Sequence, residues 1–179
     1  MDLRRNPIGI YEKAIPNHFD WEEKIKIAKT AGFDFIEMSV DESDERLSRL
    51  DWPKDKRNRL KKLLKENGMK IQSMCLSGHR RYPFGSHDEV KRKKAYSLID
   101  QAIALAKDLD IQNIQLAGYD VYYEDSDEGT LSRFEEGLRY SALKAEENNI
   151  MLTIEIMDTY LMGTISRALK FIKKINSTH

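Results

Sequence analysis

The chain has 179 residues, 40% hydrophobic and 34% charged, with 30 basic side chains balanced by 30 acidic ones. Zero net charge removes the main electrostatic argument for a nucleic-acid partner, a single cysteine, Cys75, excludes a disulfide framework and fits a reducing compartment, and no apolar run approaches the ~18 residues of a membrane span. The stretch Met1 to Pro7 has no long apolar segment behind its charges and does not read as a secretory signal. The expectation is one cytoplasmic globular domain over residues 1–179.

In chain order, short β-branched runs alternate with long amphipathic stretches. Ile8 to Glu12 reads as a strand, and Trp21 to Ala31 as a helix with Trp21, Ile25, Ala28 and Lys29 on one face and Gly32 as its stop. Phe33 to Val40 is a second strand. Lys54 to Asn67 is helical, with Leu60, Leu63 and Leu64 facing inward and Gly68 ending it. Lys70 to Ser77 is a third strand, followed by a long helix from Asp88 to Asp110 that buries Ala95, Leu98, Ile99, Ala102, Ile103 and Ala106. Ile111 to Gly118 is the fourth strand. Asp127 to Asn149 is a helix whose main body Thr130 or Ser132 would cap. Ile150 to Met157 is the fifth strand, and Thr164 to Asn176 a last helix with Ile165, Ala168, Leu169, Ile172 and Ile175 on one side.

Five βα units imply parallel strands with right-handed crossovers. Two closures fit the pattern: an open doubly wound sheet with helices on both faces, or part of a (β/α)8 barrel with all helices outside. Tyr11 to Pro16 lacks the glycine spacing of a dinucleotide turn, which counts against the first. The strands end on polar residues, namely Glu12, Glu37, Ser77, Asp120 and Glu155, at the edge where barrels carry their chemistry. A full barrel needs about 250 residues. Five units would leave two open parallel edges, an invitation to pair with another chain.

The densest group of reactive side chains follows the third strand, from Met74 to Ser86, with His79, Arg80, Arg81 and aromatics. Adjacent arginines can hold a phosphate through forked, charge-assisted hydrogen bonds. They can equally pair with the acids of Asp41 to Glu45. Glu155 interrupts an apolar run, and a carboxylate there must be paired, protonated or metal-bound. An internal salt bridge is the alternative, and Glu37 poses the same question. Asp158 falls in the loop beyond. Cys75 reads as a small buried hydrophobe. His18, His87 and His179 lack metal-ligand spacing, and no nucleophile elbow is present.

Several segments together resemble the L-ribulose-5-phosphate 3-epimerases, also called L-xylulose-5-phosphate 3-epimerases and formerly hexulose-6-phosphate isomerases. They are Pro7 to Ala14, Gly32 to Glu42, Arg46 to Trp52, Ser73 to Arg81, Ile114 to Tyr123 and Glu155 to Asp158. The resemblance spans essentially the whole chain. It implies a xylose-isomerase-like (β/α)8 TIM barrel, here an N-terminal portion of about five βα units, and a role in L-ascorbate or related pentose catabolism.

It further implies a divalent metal cation held by Glu, Asp, His and Glu from strands five to eight. Glu155 matches the first ligand and doubles as one of two acid/base groups. Asp158 falls where relatives contact the substrate's carbonyl end. Lys13, Arg80 and Arg81 are the candidate phosphate contacts, with His79 and Glu37 beside them. The remaining metal ligands and the second carboxylate have no counterpart in residues 1–179, so the chain is expected to be C-terminally truncated. The implied substrate is a pentulose 5-phosphate and the implied assembly a homodimer. Two alternatives stand beside the epimerase: a catalytically silent barrel fragment that binds sugar phosphate or self-associates, and an isomerase that moves the carbonyl between C1 and C2.

Overall fold

A computed structural model describes residues 6–179. Most of the N-terminal stretch read above, residues 1–5, therefore lies outside the described residues. Five parallel strands form one sheet: β1 (Gly9–Tyr11), β2 (Phe35–Val40), β3 (Ile71–Leu76), β4 (Asn113–Ala117) and β5 (Met151–Glu155). The helices are α1 (Trp21–Thr30), α2 (Asp44–Leu47), α3 (Lys54–Glu66), α4 (Glu89–Leu109), α5 (Glu128–Asn148) and α6 (Ile165–Ile175). Strand order is strictly sequential, β1-β2-β3-β4-β5. That order decides between the two closures. A doubly wound sheet reverses its order at a switch point so that helices cover both faces. Sequential strands joined by crossovers of one hand keep every helix on one face, which is barrel geometry.

The side chains obey this division. Ile36, Met38, Val40, Met74, Leu76, Ile114 and Leu116 are fully or almost fully buried, and with α4's Ala95, Leu98, Ile99, Ala102 and Ala106 they form the core between sheet and helices. The alternate strand residues on the concave face are mostly polar: Glu37, Ser39, Ser73, Cys75, Gln115, Thr153 and Glu155. Paired positions Ser39–Cys75–Gln115–Thr153 run as one row across four strands. A β-bulge between Ile36 and Glu37 adjusts the register of β2 against β3.

Helix ends follow capping chemistry. Asp20 and Glu23 form a capping box on α1, and Asp88 caps α4. On α5 the cap is Asp127, not Thr130 or Ser132. Thr130 is the reciprocal third-position partner, accepting from the Asp127 N–H at 2.8 Å while its own N–H donates to Asp127 Oδ1 at 2.7 Å. Gly32 and Gly68 adopt positive φ at 83° and 60°, as helix stops require.

On α1 the inward lysine is Lys24, 3% exposed, whereas Lys29 lies outside on the Asn67 carbonyl. The first strand is shorter than read: Glu12 already belongs to a 3-10 turn, Glu12–Ala14. On α6, Ala168 is buried, but Ile165, Leu169 and Ile172 are exposed. Among the described residues no helix is long and apolar enough to cross a membrane.

Candidate active site

A cavity of about 330 Å³ opens at the C-terminal edge of the sheet and takes one side chain from every strand: Tyr11, Glu37, Cys75, Gln115 and Glu155. Lys13, Asp41, Glu42, Ser77, Arg80 and Met157, from the segments after the strands, complete its wall. The alternation of a strand explains the strand residues, since only every second position faces the concave side. Glu155 is the last residue of β5, opposite Ala117, and its carboxylate takes no hydrogen bond or ion pair among the described residues. Glu37, by contrast, accepts the Ser73 hydroxyl at 2.6 Å.

The basic loop divides. Residues Ser77–Arg80 form a 3-10 turn. With three residues per turn, positions three apart share a side and neighbours diverge by about 120°. Ser77 and Arg80 therefore line the cavity together, and His79 and Arg81 leave it. His79 is buried against Phe84, with Nε2 3.2 Å from the Ala95 carbonyl, and burial lowers its pKa to about 4. Arg81 pairs with Asp44 at 2.6 Å on the surface. The forked arginine pair and the His79 contact expected from adjacency are not formed. Asp158 lies exposed beyond β5, outside the cavity wall.

Arg80 stands over the Tyr122 ring at 4.5 Å and 3.7 Å from Glu42, which also accepts the Tyr123 hydroxyl at 3.1 Å. Two polar atoms here are buried without a partner: Arg80 Nε and the hydroxyl of Tyr119, a residue 3% exposed. Arg80 Nε is a donor and the Tyr119 phenol can donate or accept; the two groups interact with each other, and an acceptor oxygen brought between them would satisfy both. Sequence reasoning missed Tyr119, whereas Glu42 belongs to the acidic run Asp41 to Glu45 read as the alternative partner of the arginines, and the pairs Arg80–Glu42 and Arg81–Asp44 are that alternative. An aromatic just past a strand carries no mark that separates it from the core.

Lys13 reaches the cavity but is bound to Asp41 at 2.5 Å, and Asp41 also receives Arg46 and Ser43. Burial pushes the Asp41 carboxyl up, and Lys13 and Ser43 outweigh it, holding the group well below the usual carboxylate range. Burial likewise raises the Cys75 thiol and the Tyr11 phenol, keeping both neutral at the cavity floor. Among the described residues no group of three His, Cys, Asp or Glu side chains is placed to hold a metal ion. Glu155 could supply one ligand, Glu37 is engaged by Ser73, and Asp41 by its cations. The residues present do not make a complete divalent-metal site.

A sequentially ordered parallel sheet with helices outside and a polar cavity at the strand C-termini defines a TIM-barrel architecture, and the chain belongs to the xylose isomerase-like TIM barrel family, which it matches over residues 25–179. It is 53% identical over 175 residues to the "Putative L-ribulose-5-phosphate 3-epimerase SgbU" of Escherichia coli K12, covering 98% of this chain and 61% of that protein. It is 48% identical over 171 residues to the L-ribulose-5-phosphate 3-epimerase UlaE of Escherichia coli O157:H7, covering 96% and 60%. A crystal structure of D-psicose 3-epimerase in the presence of D-fructose superposes with a TM-score of 0.80 at 19% identity, covering 96% of this chain and 61% of that one, a likeness of fold. The chain thus spans about 61% of the length of these relatives.

Proposed function

We propose that residues 1–179, as one xylose-isomerase-like domain, carry the anion-binding side and the first acid/base group of a pentulose-5-phosphate 3-epimerase that interconverts L-ribulose 5-phosphate and L-xylulose 5-phosphate. One observation carries this reading: an unengaged carboxylate, Glu155, and a cation with an unpartnered donor, Arg80, line the same cavity. The identity to proteins named for that reaction supports it.

In a 2-ketose the hydrogen on C3 is acidified by the neighbouring carbonyl, and its loss gives a planar enediolate. Return of a proton to the opposite face inverts C3. Glu155 is assigned the transfer on one face. Arg80 and Tyr119 receive phosphate oxygens, with Lys13 at the rim. Glu37 braces the wall from its bond to Ser73. The divalent cation implied by the resemblance would find one ligand in Glu155. The proposed setting is cytoplasmic L-ascorbate or related pentose catabolism, and the proposed assembly a homodimer.

Calorimetric titration with L-ribulose 5-phosphate tests the anion side. Binding that Arg80→Ala weakens by about 10- to 100-fold, the worth of a charge-assisted pair, supports the assignment; equal binding by parent and variant overturns it. Turnover is read by NMR on L-xylulose 5-phosphate. Product inverted at C3, with a loss of at least about 10²-fold in Glu155→Gln, marks the epimerase. An aldose product would mark the C1–C2 isomerase. Binding without turnover marks the silent fragment, a reading that the exposed apolar side of α6 favours.

A further inference from the structure

The wall of the cavity at the strand C-termini is acidic on balance: Glu37, Asp41, Glu42 and Glu155 face it against Lys13 and Arg80. An anion enters such a wall only where a cation has a counter-ion that gives way. The two cations differ in this respect. Lys13 is in direct contact with Asp41 at 2.5 Å, and Asp41 is fixed in turn by Arg46 at 3.1 Å and by the Ser43 N–H and hydroxyl at 3.0 Å and 2.6 Å. Arg80 faces Glu42 at 3.7 Å, close enough for Coulomb attraction and too far for a hydrogen bond.

The stand-off has a cause. The Tyr123 hydroxyl donates to both Glu42 oxygens, at 3.1 Å and 3.2 Å. Glu42 follows β2, Arg80 follows β3 and Tyr123 follows β4, so this bond joins the segments on either side of the one that carries Arg80. Arg80 is steadied separately, over the Tyr122 ring. A carboxylate whose hydrogen bond comes from a phenol loses only a through-space attraction when another anion reaches Arg80. Without the phenol it could close on the guanidinium as a forked pair, a far harder partner to displace.

We propose that Glu42 is the resident counter-ion of Arg80, exchanged for the phosphate of the ligand, and that Tyr123 is the positioning residue that keeps this exchange easy, an inference that rests on the phosphate role assigned to Arg80. Glu42 thereby limits, and Tyr123 restores, the preference for a phosphorylated over a neutral ketose. The test is calorimetric titration of the parent, Glu42→Gln, Tyr123→Phe and the double variant with L-ribulose 5-phosphate, inorganic phosphate and neutral L-ribulose. Glu42→Gln should bind both phosphate ligands about fivefold more tightly, the worth of a partly exposed ion pair, with L-ribulose unchanged. That gap should close at about 1 M salt, where charges are screened beyond ~3 Å. Tyr123→Phe should act in the opposite direction, weakening both phosphate ligands about threefold, and the double variant should bind as Glu42→Gln does, because a phenol that works through Glu42 has no effect without it. Tyr123 is 66% exposed and Glu42 lies at the cavity mouth, and circular dichroism checks that the variants fold. An affinity that depends on Arg80 but is unchanged or weakened in Glu42→Gln overturns the exchange and leaves the phosphate role of Arg80 standing. So does a Tyr123→Phe effect that is absent, or that persists in the double variant, or an equal tightening of neutral L-ribulose, which marks a change of shape rather than of charge. Affinity for L-ribulose 5-phosphate that is absent, or the same in Arg80→Ala as in the parent, overturns both.

Discussion

Glu12 is wholly buried behind β1, with Arg49 at 2.5 Å, Lys24 at 3.3 Å and the Ser39 N–H at 2.9 Å. Burial pushes its carboxyl up, and the Arg49 pair, Ser39 and Lys24 more than reverse this, so the group sits below its ordinary value. Glu12→Gln keeps the shape but strands two buried cations. Removing one member of such a pair costs about 3–5 kcal/mol, to be read as a lower urea midpoint at neutral pH. Because the folded-state pKa is depressed, this stabilisation is complete above the ordinary carboxylate value and fades as pH falls below it. Tyr119→Phe should act oppositely. It removes an unpartnered buried hydroxyl, so stability holds or rises slightly, while affinity for L-ribulose 5-phosphate falls by about 1 kcal/mol, roughly fivefold; equal affinity would remove Tyr119 from the anion site. Glu155 and Glu37 were legible in the sequence because charge inside an apolar strand is conspicuous. Adjacency along the chain does not place His79 and Arg81 beside Arg80, and Arg81 takes Asp44, from the acidic run the sequence offers as the alternative partner. The 3-10 turn rotates them out of the cavity that Arg80 enters.

Among the elements, two loops at the strand C-termini are tied by one carboxylate. Glu124, between β4 and α5, accepts from the Ser86 hydroxyl at 2.7 Å, the His87 N–H at 2.8 Å and Lys91 at 2.9 Å, all on the β3–α4 side. Burial raises its pKa, and Lys91, Ser86 and His87 together take it down to about 2. The tie is therefore intact above pH 4.5 and lost as pH falls toward 2. The stability gap between the parent and Glu124→Gln should narrow across that window in acid titrations followed by circular dichroism. Gly85 lets the same loops meet: a Cβ there would stand 2.5 Å from the Asp120 carbonyl oxygen. Gly85→Ala should lower the thermal midpoint, checked by calorimetry. The long helices and the strands β2 to β5 were legible from period and composition, since each repeats its pattern over several turns or alternations, and the three-residue β1 was legible only in place, not in length. The four-residue α2 and the 3-10 turns were not, because a single turn has no period.

At the scale of the molecule, the sheet has two outer strands, β1 and β5, each paired on one side. The architecture of one such edge is apolar. Met151 and Ile156 at β5, and Ile165, Leu169 and Ile172 along α6, are 43–70% exposed. Sequence periodicity places Ile165, Ala168, Leu169, Ile172 and Ile175 on one side of α6; Ala168 is buried, while Ile165, Leu169 and Ile172 are exposed. Ala168 and the Phe134–Phe171 ring contact hold α6 to α5, leaving the remaining stripe open. An unpaired parallel strand edge beside a continuous apolar helix stripe is a template for association. The chain is expected to self-associate through it at micromolar concentration, read as a concentration-dependent sedimentation coefficient. Leu169→Lys with Ile172→Lys places charge on that stripe without touching Ala168 or Phe171. The pair should return the chain to a monomer with an unchanged far-ultraviolet spectrum. A parent that sediments as a single monomeric species over the whole concentration range would show that this edge attracts no second copy.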